Sequence, residues 1–416
     1  MASVKQQVII VALAAVALGG FFAFRKYLAP LRPPFGQPPA DITALLPPAA
    51  TPAAPGPGEV NEPVMPLKLP AGFSISIFAQ DLPGARVMRP DRFGTMWVSR
   101  TSEGKVTRVE IKDGRVIGQR DVFDGLRKPH GLAFDPDEPQ VLYVAEEHRL
   151  QRYRLGPGGT LAGTGEQVLA LPSGDGHFTR TIGFGPDGTL YVSVGSSCNV
   201  CIEPDPRRAT ILRYDSTSGQ SEIFARGLRN AVFFVWHPLT GELWATEMGR
   251  DWLGDDLPPD EIVVVEPGQD YGWPDCYGKN VSDPFGLERA ANPCAGKRPS
   301  VIDIPAHSAP LGLAFVPPDS GWPEEYWYDL LVAYHGSWNR SRPTGYKVVR
   351  HKFDANGRYE GVEDFITGWL VSSQVEGLIP EGALGRPVDI IVEPQGTMYL
   401  SDDKAGVIYR LRWLGQ

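Results

Sequence analysis

Three observations predict an all-β chain, and more narrowly a six-bladed β-propeller preceded by an N-terminal hydrophobic segment and a Pro-rich linker. A unit made of an apolar strand, a turn and a second strand of the form Gly-x-Leu/Met-Tyr/Trp-Val/Ala recurs six times. Glycine (47) and proline (40) are abundant among the 416 residues, as a fold of many short strands and turns requires. No convincing long amphipathic helical pattern stands out, which disfavours a βα architecture.

The chain opens with an apolar run from Val8 to Phe24, roughly 17 residues, preceded by Lys5 and followed by Arg25-Lys26. It is long for a secretory core, and a small-residue cleavage site is poorly formed. Residues 1–28 therefore read as an uncleaved signal-anchor, with a cleaved signal peptide as the alternative. Either exports the rest: to the periplasm on an inner-membrane tether, or as a secreted soluble form. Residues 29–66 are about one-third proline with few aromatics, a composition that cannot bury a core and reads as an extended, semi-rigid linker. Residues 67–416 hold the repeats.

The units run "RVMRPDRFGTMWVSR" from Arg86, "HGLAFDPDEPQVLYVAEE" from His130 and "TIGFGPDGTLYVSVG" from Thr181. "AVFFVWHPLTGELWATE" from Ala231, "LGLAFVPPDSGWPEEYWYDLLVAY" from Leu311 and "PVDIIVEPQGTMYLSDD" from Pro387 follow. Strands such as "ATILRYD" (Ala209–Asp215) and "GVIYRLRW" (Gly406–Trp413) come after several of them. The first four units recur roughly every 46 to 53 residues, the period of a four-stranded propeller blade, and insertions stretch the later ones. A net charge of −9 with no Lys/Arg-rich block argues against nucleic-acid binding.

Four cysteines in an exported chain suggest two disulfides. Proximity favours Cys198–Cys201 and Cys276–Cys294 among three connectivities. The C-x-x-C lacks the following His of a haem site, the βαβ setting of a redox pair and the second close pair of a zinc site.

In a propeller the first strand of each blade lines the axis, so residues just before it meet at one mouth. Those positions hold Arg86, His130, His177, Arg229-Asn230, His307 and Arg386. Singly, each is an ordinary surface charge or structural imidazole. Together they concentrate positive charge that requires an anionic ligand, and guanidinium forks suit carboxylates. One loop, Ala245 to Ile262, carries Glu247, Asp251, Asp255, Asp256, Asp260 and Glu261, oxygen donors suited to Ca²⁺ or simply a solvated acidic loop. Phosphate-loop, H-E-x-x-H and G-x-S-x-G motifs are absent.

These stretches resemble the soluble quinoprotein sugar dehydrogenases, the glucose/sorbosone dehydrogenase family that uses pyrroloquinoline quinone (PQQ). The likeness is greatest to the L-sorbosone dehydrogenase-like branch. It covers most of residues 67–416 and rests on "GHFTRTIGFGPDGTLYVSVG", "ARGLRN" (Ala225–Asn230) and "GRDWLGDDLPPDEI". "GQDYGWP" (Gly268–Pro274), "HGSWNRS" (His335–Ser341) and "GRPVDI" (Gly385–Ile390) extend it.

The resemblance implies PQQ- and Ca²⁺-dependent oxidation of a sugar or related alcohol. His177 would be the general base, with Arg229 and Asn230 beside the quinone carbonyls. Backbone carbonyls of Gly249 and Arg250 would hold Ca²⁺, with Asp251, Asp255 and Asp256 as weaker candidates. Arg386, Arg86, His130, His307 and Arg340 would complete the cofactor pocket. Electrons would pass to an external acceptor such as a quinone or cytochrome. This chain departs from the glucose enzymes at Met248-Gly249-Arg250, where they have Gln-Gly-Pro. It has Val388 where they carry a second arginine, and near Tyr334–Arg340 no clear counterpart of their fifth-blade cofactor lysine, for which Arg340 could substitute. The sugar is therefore left open. Two other classes fit the same fold: a Ca²⁺-dependent lactonase-type hydrolase and a non-catalytic, membrane-tethered binding propeller.

Overall fold

The computed structural model describes residues 66–288, 290–370 and 383–415. The expected signal segment and nearly all of the Pro-rich linker lie outside the described residues. Those described form six four-stranded antiparallel sheets, and helical structure among them is limited to three short 3₁₀ turns. The six sheets are the blades of a propeller. Their inner strands are Ala85–Pro90, Leu132–Phe134, Ile182–Phe184, Ala231–Trp236, Pro310–Phe315 and Pro387–Val392. All six fall on the six repeat units expected from the sequence.

Burial within a blade follows from its neighbours. The second strands, "MWVSR", "VLYVAE", "LYVSV", "LWATE", "LLVAY" and "MYLSD", are buried at every position. Both faces of these strands pack against adjacent blades, so they lose the in–out alternation of a half-solvated sheet. That alternation survives only at the rim, as in Arg115–Phe123 of the first blade. Between inner and second strands sit tight turns. At Pro186-Asp187-Gly188, Asp187 Oδ1 accepts from the Thr189 N–H at 3.0 Å, and Gly188 takes the positive φ of 74° that closes the turn.

The ring closes non-sequentially. Phe73–Ala79, at the start of the propeller, is the outermost strand of the sixth blade. It pairs with Val407–Trp413, Phe73 opposite Trp413. Phe73 then packs edge-to-face against Trp322, Tyr326, Phe365 and Trp413, with ring centroids 4.7 to 5.4 Å away. Strand direction places Phe73 on the face opposite the one where Pro387 begins its inner strand, since Pro387 pairs with Asp402 and Asp402 with Val407.

The fourth blade carries the largest insertion, residues 266–301 between Asp260–Val265 and Ile302–Ile304, stitched by Cys276–Cys294. The second bridge is Cys198–Cys201, so both expected pairings are present. Replacing Phe73 by Ala removes the aromatic plug of the closure. We expect a loss of about 3 kcal/mol in chemical denaturation, and a loss below about 1 kcal/mol would show that backbone pairing alone closes the ring.

Candidate active site

Antiparallel blades bring the starts of inner strands and the ends of second strands to the same face, around the axis. At this mouth, two sectors of polar residues meet. The first belongs to the third and fourth blades. His177 lies on the loop before Ile182–Phe184 and is half-buried. Its Nδ1 is 3.1 Å from the Ser196 carbonyl and 3.0 Å from Ser196 Oγ. Ser196 Oγ donates its own hydrogen to the Cys198 carbonyl at 2.7 Å. Both neighbours of Nδ1 are therefore acceptors, which fixes the proton on Nδ1 and leaves Nε2 bare. No group among the described residues bonds Nε2. Burial, then the charge of Arg229, lowers the His177 pKa to about 3, so the ring is neutral at pH 7. Gly195 makes this placement possible: a Cβ there would stand 2.6 Å from both His177 Cβ and Asn230 Oδ1.

Arg229 is buried and engages all five of its N–H groups. Nε donates to the Asn199 carbonyl (3.3 Å), and Nη1 to the carbonyls of Met248 (3.3 Å) and Gly249 (2.9 Å). Nη2 donates to Asn199 Oδ1 (2.9 Å) and Asp251 Oδ2 (3.1 Å). Asn199 sits inside the Cys198–Cys201 ring and also receives the Trp273 indole N–H (3.1 Å) and the Asp251 amide (2.8 Å). The small disulfide loop thus fixes the orientation of Arg229. Asn230 donates its amide to Glu247 at 2.9 Å and its Nδ2 to Met248 Sδ at 3.4 Å.

The second sector joins the fifth, sixth and first blades. Arg86 reaches Asp403 at 2.7 Å across the ring closure. Asp403 also accepts from His335 Nε2, at 3.0 and 3.1 Å to its two oxygens. Arg386 donates to the carbonyls of His335 (3.1 Å) and Gly336 (2.6 Å) and lies over the Tyr346 ring. Burial and then the Arg386 charge lower the His335 pKa to about 4. Burial alone would raise the pKa of Asp403, yet His335, Arg86 and Arg386 hold it below the usual carboxylate range. The sectors are tied together where Asn339 Nδ2 donates to Asp251 Oδ1 at 2.7 Å.

Other expected residues sit elsewhere. His130 is fully buried, edge-on to Phe233, with Nδ1 3.4 Å from Thr181 Oγ1 and Nε2 without a partner. His307 fastens the acidic loop through Gly254 O at 2.9 Å. Arg340 bonds Asp256 (2.8 Å) and the Asp255 and Ala306 carbonyls, and Asp255 holds Ser341. These side chains pair with one another rather than turning towards Arg229. Arg250 points its guanidinium at Asp283 (3.1 Å to each oxygen). Glu247, Asp260 and Glu261 are not on the loop surface but inside the fourth blade, bonded to the amides of Asn230, Gly249, Ala309 and Gly278. Burial pushes Asp260 and Glu261 up to about 7 and Glu247 well above its usual value.

Among the described residues, the one His/Cys/Asp/Glu group with metal-like spacing is Cys198, Cys201 and Glu203, whose cysteines are disulfide-bonded. Ser196, Asn199, His335 and Asp403 were not singled out from the sequence. All but Asn199 stand within two residues after a second strand, so aligning strand ends as well as strand starts would have exposed them.

The fold and this mouth define a six-bladed propeller with an axial site of imidazoles and guanidinium groups. The TrAA12-like family matches residues 67–414, and the chain belongs to it. An uncharacterised protein of Borreliella burgdorferi is 31% identical over 357 residues, covering 83% of this chain and 90% of the relative. A pyrroloquinoline quinone-dependent pyranose dehydrogenase of Coprinopsis cinerea is 23% identical over 82% of this chain, which spans only 54% of that enzyme. The calcium structure of the Trichoderma reesei carbohydrate-active enzymes family AA12 superposes with a TM-score of 0.74 at 20% identity, covering 86% of this chain and 99% of that one.

The depressed pKa of His335 has a thermodynamic sign. Between about 4 and 6.5 the unfolded imidazole binds a proton that the folded one refuses, so stability rises with pH across that window. Against His335→Gln, the wild-type advantage in Tm should therefore grow from pH 4 to 6.5 and level off above. A constant offset would give His335 an ordinary proton affinity.

Proposed function

We propose that this protein is a PQQ-dependent oxidoreductase that oxidises a sugar or related alcohol at the mouth, His177 serving as general base. The observation that carries this is the tautomer of His177: Nδ1–H is anchored on Ser196 and a bare Nε2 remains, in a neutral ring beside a buried guanidinium. The similarity to the Coprinopsis cinerea pyranose dehydrogenase supports the same reading.

The residues present suit the cofactor. PQQ is a planar quinone bearing carboxylates. Among the described residues the side chains of Arg86, Arg386 and His335 have one carboxylate partner, Asp403, while Asp402 bonds the Arg386 backbone amide, and Arg86 Nε is buried without a partner. An anion there would satisfy orphaned donors and the excess charge. Arg86 and Arg386 would hold it, with His130 below, whose Nε2 also lacks a partner. When bound, PQQ supplies the quinone that accepts the substrate's electron pair.

The protein's own contribution is proton handling and electrostatics. His177 Nε2 takes the hydroxyl proton of the substrate. Arg229, immobilised through five hydrogen bonds, places a fixed positive charge beside it, favouring negative charge that develops on oxygen. Calcium would take the carbonyls of Gly249 and Arg250. The Gly249 carbonyl already accepts from Arg229, and Asp251, Asp255 and Asp256 are engaged with protein partners. The protein alone therefore offers this ion little negative charge, and the anionic cofactor would have to complete the site. An external acceptor must receive the electrons. Two disulfides support an oxidising, exported location such as the periplasm.

Two outcomes are expected. His177→Ala should lower PQQ-dependent dye reduction by about 10²–10⁴-fold while leaving the quinone absorbance retained after desalting unchanged. Activity near wild type would remove His177 from the base role. In thermal shift, Ca²⁺ alone should leave Tm unchanged and Ca²⁺ with PQQ should raise it. A shift with Ca²⁺ alone would mean that the protein holds the ion without cofactor oxygens. Lactone hydrolysis without PQQ would favour the hydrolase class instead.

A further inference from the structure

All ten tryptophans lie among the described residues, and only two are exposed: Trp252 at 44% and Trp338 at 57%. The others are buried or half-buried. Both exposed indoles belong to segments that reach the mouth. Trp252 follows Asp251 and Trp338 precedes Asn339, and Asn339 Nδ2 donates to Asp251 Oδ1 at 2.7 Å. The two tryptophan-bearing segments are therefore joined by one hydrogen bond, which ends on the carboxylate that holds Arg229 at 3.1 Å.

Neither exposure comes from a loose loop. Asp251 is fixed by Asn199 through its amide (2.8 Å) and its carbonyl (3.0 Å). Ser337, before Trp338, is held by Thr344 (2.9 Å) and Tyr346 (2.5 Å) through its amide and carbonyl. Trp252 itself takes a φ of 72°, a left-handed conformation that a non-glycine residue rarely adopts. A rigid backbone, partly strained, thus holds two large apolar faces in water beside the site. Neither indole N–H has a protein partner among the described residues. The same two segments carry Asn339, Arg340, Asp255 and Asp256, polar groups of the kind that bond hydroxyls.

Flat apolar faces on segments that also carry hydroxyl-binding groups suit a pyranose, whose C–H face is apolar and whose edge is polar. The acidic surroundings and the net charge of −9 argue against docking to an anionic lipid surface. We propose that Trp252 and Trp338 form a stacking subsite for a sugar ring adjacent to the one that reacts, so that the preferred substrate is an oligosaccharide. This rests on the sugar-oxidation reading given above.

The test compares PQQ-loaded full-length protein with the Trp252→Ala/Trp338→Ala double variant on cellotetraose and maltotetraose against glucose. The double variant should lose about tenfold or more in kcat/KM on a tetrasaccharide and stay within about twofold on glucose. Trp→Phe at both positions should restore most of the tetrasaccharide rate. Tetrasaccharide binding to the PQQ-free wild type, followed by tryptophan fluorescence, should disappear in the double Ala variant. Equal losses on both sugar sizes, or no tetrasaccharide binding by the wild type, would overturn the subsite. So would a double variant that keeps its sugar kinetics but reduces a protein acceptor more slowly, which would make the indoles a docking surface. Failure of the cofactor reading registers separately, as wild-type protein that retains no quinone absorbance.

Discussion

Everything at the mouth depends on the pairing of Phe73–Ala79 with Val407–Trp413. A propeller is a chain of blades until its ends meet. Only then do six strand starts, scattered over three hundred residues, share one axis. The closure also creates a polar contact that no local interaction could. Arg86 and Asp403 are separated by 317 positions, yet lie 2.7 Å apart because the sixth blade closes against the first. Asp403 then orients His335, and the loop after His335 reaches Asp251 and Arg229. Backbone pairing at the rim thus sets side-chain geometry at the centre.

The mouth has a second organising feature, the saturation of Arg229. A guanidinium with five acceptors has little freedom to move, and its burial is tolerable only because carbonyls and Asp251 surround it. Such a group acts as a fixed field rather than a mobile clamp. Its charge adds to burial in keeping His177 neutral, and it already engages the Gly249 carbonyl. The protonation state of His177 and the availability of the Gly249 carbonyl thus both depend on one side chain.

The blades were legible in the sequence because the second strand is buried on both faces, which forces the compact Leu/Met-Tyr/Trp-Val/Ala run wherever it recurs. His177, Arg229, Asn230, Arg86 and Arg386 were legible because equivalent positions in a radial repeat converge. Partner choice was not. Glu247, Asp260 and Glu261 looked like members of one acidic loop, but Glu247 ends one strand and Asp260 begins the next, so their carboxylates are enclosed between strands and serve backbone amides. Arg340 stood near the motif of a cofactor ligand, yet its nearest anions, Asp255 and Asp256, belong to a loop more than eighty positions away. Such pairings are decided by how loops fold over the disc, which spacing along the chain does not encode.

The direction of Phe73–Ala79 has a consequence for orientation in space. Phe73 begins its strand beside Trp413, on the face of the disc opposite the one that carries His177, Arg229 and Arg386. The start of the first described strand and the ring of inner-strand starts thus occupy opposite faces, so the chain's entry into the disc leaves the polar opening unobstructed.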